Sequence, residues 1–308
     1  MPLETTEYIW MDGEFVPWDE ANVHVLTHSL HYGLGVFEGI RCYDTCRGPA
    51  VFRLRDHMER LENSADLMKI PLPYSVEELI DAARETIKRN NQEECYIRPI
   101  VYYGYKEMGL NPEDSPVEAA IAVWPWGSYL GEESLKKGVK TKVTEWRRIH
   151  PRILPPQAKT TANYANSILA KLDALEGDYD EAILLNMDGE VTEGPGENLF
   201  IVEDEEVITP PLSSGALEGI TRNSIMVIAE RMGIPVREET INEERLKKAD
   251  EAFFTGTAAE VTPIREVDDN LIGEGGRGEI TKGLQEKFFD IIKGEDEDYD
   301  EWLDFVYD

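Results

Sequence analysis

The sequence predicts an α+β protein of two domains, and three observations carry that prediction. Short runs of period-two alternation are mixed with amphipathic helical patterns in both halves. The stretch WPWGSYLGEESLKK breaks those patterns with Gly127 and Gly131 among aromatic and polar residues. A chain of 308 residues is long enough for two cores of ordinary size. The boundaries read as a smaller N-terminal domain over 1–126, a linker over 127–137 and a larger C-terminal domain over 138–308.

Two helices and a strand organise the first half. Leu54, Met58, Leu61, Ala65 and Met68 recur at helical spacing. Ser75 with Glu78 forms a capping box ahead of the apolar series Val76, Leu79, Ile80, Ala83 and Ile87. From Cys95 to Tyr105 the period becomes two, which puts Tyr96, Arg98, Ile100 and Tyr102 on one face. In the second half, Asp188-Gly189 between EAILLN and EVTEG signals a hairpin, and NLFIV and VITP suggest a strand pair around EDEE. A helix is expected beyond Lys159 with Ile168, Leu169, Leu172 and Leu175 facing inward. Another runs from Ile220 to Met232, with Ile225, Ile228, Ala229 and Met232 on one face, Gly233 as its stop and Pro235 beyond. Its start after Gly219 matters, because the first amides of a helix are donors at the positive end of its dipole and bind phosphate readily.

Composition excludes several function classes. Asp and Glu number 62 against 31 Lys and Arg, so a net charge of −31 repels phosphate backbones and anionic lipid surfaces. Neither nucleic acid nor membrane is an expected partner. The acid excess is spread along the chain and self-repels where salt is scarce, which points to a salt-adapted organism. The acidic end GEDEDYDEWLDFVYD reads as a solvated terminal segment. Three cysteines, Cys42, Cys46 and Cys95, show no disulfide framework; Cys42 and Cys46 read as small core residues, and a reducing cytoplasm fits. MPLETTEYIW has no basic start or apolar run, and no stretch approaches the roughly eighteen apolar residues of a membrane span.

Chemistry concentrates around Lys159 in LPPQAKTTANY. A lysine acts as a Schiff-base nucleophile when its surroundings favour the neutral amine, and pyridoxal chemistry further needs a phosphate anchor and an acid facing the ring. The parts are nameable: Tyr164 for the ring hydroxyl, Glu193 in EVTEGPGENLF for the ring nitrogen, Thr221 at the phosphate-ready helix start and Thr257 in the TGTAAE turn. Taken singly, each has an ordinary reading as a turn or helix-start residue.

Together they resemble a known family. EGPGENLF, then VIT, then LEGITR closely match the signature of the class-IV aminotransferases, the fold-type-IV pyridoxal enzymes. VHVLTHSLHYGLGVFEGIRCYD, HMERLENSADLM, YIRP, MGLNP, WPWGSYLG, NYANS and FFTGTAAEVTPI extend the likeness to the branched-chain amino acid aminotransferases over nearly the whole chain. One departure is Pro195, where the pattern usually has a small residue; proline removes an N–H, so the turn carrying Glu193 and Gly196 must adjust.

The resemblance implies a barrel-like sheet in the C-terminal domain, with pyridoxal 5'-phosphate between the domains. It implies that Lys159 binds the cofactor and shuttles the proton at the substrate α-carbon. Arg60, the Ile220 and Thr221 amides and the Thr257 hydroxyl would hold the phosphate, Leu217 the ring face, Tyr164 the ring hydroxyl and Glu193 the ring nitrogen. For substrate, it implies an apolar wall of Phe37, Trp126, Tyr129 and Tyr164, with Tyr32 and Leu110 from a second subunit of a homodimer or homohexamer. Tyr96 and the Thr257–Ala258 amides would hold the α-carboxylate, with Arg98 as the cation for the glutamate side chain. The implied reaction moves the amino group of leucine, isoleucine or valine to 2-oxoglutarate, as the last step of their synthesis or the first of their breakdown. Its rivals are a D-amino acid aminotransferase, an aminodeoxychorismate lyase and a non-catalytic pyridoxal phosphate carrier, disfavoured by YIRP, MGLNP and the joint presence of Lys159, Glu193 and the pocket aromatics.

Two other signals are set aside. His24, His28 and His31 have no acidic or cysteine partner at a zinc-like interval, so no metal is expected. GEGGRG, Gly273 to Gly278, comes too late in the chain to complete a dinucleotide-binding unit and reads as a glycine-rich loop.

Overall fold

The computed structural model describes residues 3–127 and 130–307. The chain forms two compact units: Met1–Trp126 with Ala158–Ala162 and Ile291–Asp308, and Gly127–Gln157 with Asn163–Asp290.

The first unit is an eight-stranded sheet covered by two helices. Leu54–Leu67 buries Leu54, Met58, Leu61 and Ala65, while Val76–Arg89 starts at the expected Ser75–Glu78 capping box and buries Leu79, Ile80, Ala83 and Ile87. These apolar faces meet Ile40, Cys42, Cys95, Ile97, Ile121 and Val123 in one core. Along one edge of the central strand Cys95–Tyr103 lie two short strands in succession, Gly35–Phe37 opposite Ile100–Tyr102 and Ile40–Thr45 opposite Cys95–Ile97. They are separated at Glu38–Gly39, where Pro99 accepts from the Glu38 N–H (2.9 Å) and has no N–H to return, so the ladder breaks there.

The second unit contains the expected barrel. Val139–Arg147, Glu181–Leu185, Val191–Glu193, Asn198–Glu203, Glu251–Gly256 and Glu260–Val267 pair in that order, and the last of them pairs back onto the first. These strands thus form a closed ring filled by Ile183, Val191, Leu199, Ile201, Phe254 and Ile264. The Asp188-Gly189 hairpin forms, closed by Asn186 and Glu190, and the strand pair Asn198–Glu203 with Glu206–Thr209 turns at Asp204 and Glu205, both at positive φ. Ile220–Arg231 is helical and stops before Gly233, whose φ is 77°. The 273–278 glycine-rich segment is a loop leading into the Glu279–Ile292 helix.

Several expectations change. The acidic end is not simply solvated: Leu303–Phe305 adds a strand beside Gly48–Phe52, because Tyr299, Leu303 and Val306 bury apolar side chains among the acids. Residues 132–137, expected within a linker, are a helix of the second unit, and Ile291–Asp308 belongs to the first. Cys42 and Cys95 are buried thiols facing each other across paired strands, but Cys46 is exposed. Met232 is 43 % exposed, off the face made by Ile225, Ile228 and Ala229.

The Tyr164–Glu176 helix is turned about from expectation. It buries its small residues Ser167, Ala170 and Ala174 against Ala182 and Leu184, and leaves Ile168, Leu169, Leu172 and Leu175 at least 40 % exposed. Small side chains let a helix approach a sheet closely, and the large ones then have no room inside.

Candidate active site

In the first unit, Lys159 is pinned by its own backbone. The Phe37 N–H donates to the Lys159 carbonyl (3.0 Å), the Thr161 N–H to the Gly35 carbonyl (2.9 Å), and the Lys159 N–H to Ser64 Oγ (3.0 Å). Its Nζ lies 5.3 Å from the centre of the Phe37 ring.

Arg98 shares that ring, with its guanidinium carbon 4.9 Å from the centre of Phe37, 5.3 Å from Tyr96 and 5.8 Å from Trp124. Its Nη2 donates to the Tyr96 hydroxyl at 3.4 Å, so the two residues share a face as the strand period requires. Among the described residues, its buried Nε has no hydrogen-bond partner. Trp126 packs on Tyr96 with ring centres 4.2 Å apart. The phenol reaches over the strand break only because residue 39 is glycine; a Cβ there would lie 1.9 Å from the Tyr96 oxygen.

Glu38 occupies the same break and is fully buried. Arg60 donates to it through Nε (2.7 Å) and Nη2 (2.9 Å), and His57 through Nδ1 (2.8 Å). Burial alone would raise the Glu38 pKa, but the Arg60 charge and His57 outweigh it and hold the carboxyl below its usual range. Burial pushes His57 the other way, below its ordinary value, so a neutral ring donates to a charged carboxylate.

In the second unit, Glu193 is buried and fixed from three sides. Its Oε1 meets Arg148 Nη2 at 2.7 Å; its Oε2 accepts from the Leu217 N–H at 2.9 Å and from Asn198 Nδ2 at 3.2 Å. Buried Thr221 stands in the first turn of Ile220–Arg231, whose N-cap, Gly219, makes no side-chain cap bond. Thr257 and Ala258 lie half-buried in the turn between Glu251–Gly256 and Glu260–Val267, and half-buried Tyr164 opens its helix.

Pro195 is accommodated, because the turn closes through other amides. The Gly194 N–H donates to the Glu197 carbonyl (2.7 Å) and the Gly196 N–H to Glu197 Oε2 (3.0 Å). Burial, with the Glu181 charge nearby, raises the Glu197 pKa to about 8. An unfolded glutamate titrates near 4.5, so between these values the native chain keeps a proton that the unfolded chain has lost. Stability from this group is therefore complete below pH 4.5 and is lost as pH rises through about 8. Glu197→Gln should melt a few degrees above the parent at pH 9, with the gap closing toward pH 5; parallel melting curves across that range would refute this.

The structure gathers Phe37, Tyr96, Arg98, Trp126 and Lys159 into one group in the first unit, with Arg60 on the helix beside it. It gathers Glu193, Leu217, Ile220 and Thr221 in the second. Tyr32 packs on His28 with ring centres 4.6 Å apart, and Leu110 is 89 % exposed. Tyr129 lies outside the described residues. Sequence reasoning did not single out Glu38, Arg148 or Asn198. Asn198 stood inside the EGPGENLF motif and Glu38 inside VFEGIRCYD, whereas Arg148 had no local signal.

Each unit carries donor types that suit a phosphorylated pyridine ring: an amine beside an aromatic ring and a guanidinium in the first, a fixed buried carboxylate and a glycine-capped helix start with a threonine hydroxyl in the second. The Amino-transferase class IV family model matches residues 35–267. The chain belongs to that family. It is 47 % identical over 307 residues, 99 % of each chain, to the Branched-chain-amino-acid aminotransferase of Escherichia coli K12. A crystal structure of the Escherichia coli branched-chain amino acid aminotransferase superposes with a TM-score of 0.96, covering 98 % of this chain and 100 % of that one at 47 % identity. The branched-chain aminotransferase of the archaeon Thermoproteus uzoniensis with norvaline gives a TM-score of 0.94 at 46 % identity, again over 98 % and 100 % of the two chains. The pyridoxal-phosphate-bound enzyme of the same name from Thermobaculum terrenum gives 0.92 at 36 %, over 98 % and 99 %. The closed ring of strands is thus the barrel of a class-IV aminotransferase.

Proposed function

We propose that this class-IV aminotransferase moves the amino group of L-leucine, L-isoleucine or L-valine to 2-oxoglutarate through the residues described above. Pyridoxal 5'-phosphate is its cofactor and, when bound, supplies the aldehyde that accepts the amino group and a ring that draws electrons from the substrate α-carbon. Lys159 holds the cofactor through its amine and afterwards carries the proton at the α-carbon. Glu193 accepts at the ring nitrogen, its direction set by Arg148. Arg60, the Ile220 and Thr221 amides and the Thr257 hydroxyl bind the phosphate, Leu217 supports the ring face, and Tyr164 binds the ring hydroxyl. Phe37, Trp126, Tyr129 and Tyr164 form the apolar wall and exclude water, joined by Tyr32 and Leu110 of a second copy. Tyr96 and the Thr257–Ala258 amides hold the α-carboxylate.

The observation that carries the substrate reading is Arg98. In a chain with 62 carboxylates, its guanidinium lies among three aromatic rings and pairs with no carboxylate among the described residues. A buried Nε–H without a partner costs about 1–3 kcal/mol unless a ligand completes it. The apolar rings accept a leucine side chain, and the guanidinium accepts the second carboxylate of glutamate. Arg98→Ala should lower kcat/KM for glutamate and 2-oxoglutarate by roughly ten- to a hundredfold, from the worth of a charged hydrogen bond, and for leucine far less. Equal losses with both substrates would refute the role.

The chain self-associates in this reading, supported by the exposed apolar stripe Ile168, Leu169, Leu172 and Leu175. Sedimentation showing only monomer at micromolar concentration would refute it. Three free thiols fit a reducing cytoplasm, where a cytoplasmic marker should co-fractionate with the protein. No described helix is long and apolar enough to cross a membrane. The net charge of −31 supports salt adaptation, which full activity and unchanged melting in dilute buffer would exclude.

A further inference from the structure

We propose that Asn198 is a positioning residue: it holds the Glu193 carboxylate, the Leu217 backbone and the Gly219 helix start in one arrangement. The inference rests on the roles of Glu193, Leu217 and Thr221 proposed above.

Its geometry is a closed set of contacts. Asn198 Nδ2 donates to the Leu217 carbonyl (2.9 Å) and to Glu193 Oε2 (3.2 Å), and the Leu217 N–H donates to that same Oε2 (2.9 Å). On its other side, Oδ1 faces Gly219 so closely that a Cβ there would lie 1.9 Å away. Asn198 is itself held in the barrel, paired with Glu193 on one strand and Thr255 on the other, and is 7 % exposed. One side chain on a rigid strand therefore touches the residue for the ring nitrogen, the residue for the ring face and the start of the phosphate helix.

Only an amide suits the place. Two acceptors, a carboxylate and a carbonyl, converge on Nδ2, which has two hydrogens to give. Aspartate would set acceptor against acceptor, alanine would leave both acceptors short of a donor, and leucine would do so while filling the space.

The test measures pyridoxal phosphate affinity and the visible absorbance of the bound cofactor against pH, with melting of the apoprotein as a control for folding. Asn198→Ala should weaken cofactor binding roughly ten- to a hundredfold, the usual scale for groups that orient a ligand's direct partners. It should also alter the pH dependence of the spectrum. Asn198→Asp should bind worse than Asn198→Ala at neutral pH and recover in acid, where its protonated carboxyl regains a donor. Gly219→Ala should weaken binding because its methyl displaces Oδ1. Asn198→Ala then makes room for that methyl, so the double variant should be weakened by much less than the product of the two single effects.

Parental affinity and spectrum in Asn198→Ala, or strictly multiplicative losses in the double variant, would overturn the proposal. If Asn198→Ala fails to fold, Gly219→Ala decides: an unchanged cofactor spectrum there overturns it as well. Glu193→Gln separates the two layers. If that variant alone keeps the parental affinity and spectrum, the Glu193 role falls and the inference with it; if it changes while the Asn198 variants do not, only the inference falls.

Discussion

Lys159→Ala should lower transamination by at least three orders of magnitude, since in the proposed mechanism it removes both a nucleophile and a positioned general base. The bonds that Phe37 and Ser64 make to residue 159 are to its main-chain carbonyl and N–H, which the substitution leaves in place. The fold should therefore survive, and the phosphate contacts should keep some cofactor bound. Single-turnover absorbance with L-leucine checks this: the parent's cofactor band should change on mixing and the variant's should not. Residual turnover within tenfold of the parent would remove Lys159 from the chemistry.

Glu193→Gln should cost roughly two to three orders of magnitude in kcat, the scale of losing one preorganised electrostatic contact. It carries a second effect that Lys159→Ala lacks. Arg148 and Glu193 are each 6 % exposed in the side chain, and neutralising the carboxylate leaves a buried guanidinium uncompensated. Breaking such a pair costs about 3 kcal/mol or more, so the variant should also melt at lower temperature. Arg148→Met with Glu193→Gln should recover much of the lost stability and none of the rate. Recovery of both would make Glu193 a structural partner of Arg148 and nothing more.

The Ser75–Glu78 box, the Asp188-Gly189 hairpin and the Tyr96–Arg98 parity were legible because each depends on a few neighbouring residues. The Tyr164–Glu176 helix was legible in existence and wrong in facing. Its apolar residues form a regular stripe, and periodicity identifies a stripe without saying what lies opposite it. The acidic end hid a strand for a related reason: net charge describes its surface, whereas Tyr299, Leu303 and Val306 decide where it packs.

By itself the sequence determined the longer helices, the Asp188-Gly189 hairpin and the family motifs, and it named Lys159, Glu193 and Arg98 as candidates for the site. These follow from local dihedral preference, short-range spacing and the chemistry of single side chains. Only the tertiary structure decided the order in which the strands of the ring pair, that Glu38 joins His57 and Arg60, and that Asn198 ties Glu193 to Leu217. Arg148 and Glu193 meet from opposite ends of a long stretch of chain, and Glu38 reaches Arg60 from 22 positions away. Such pairings leave no periodic trace, because burial selects them only once the strands and helices have brought distant charges into a space that water has left.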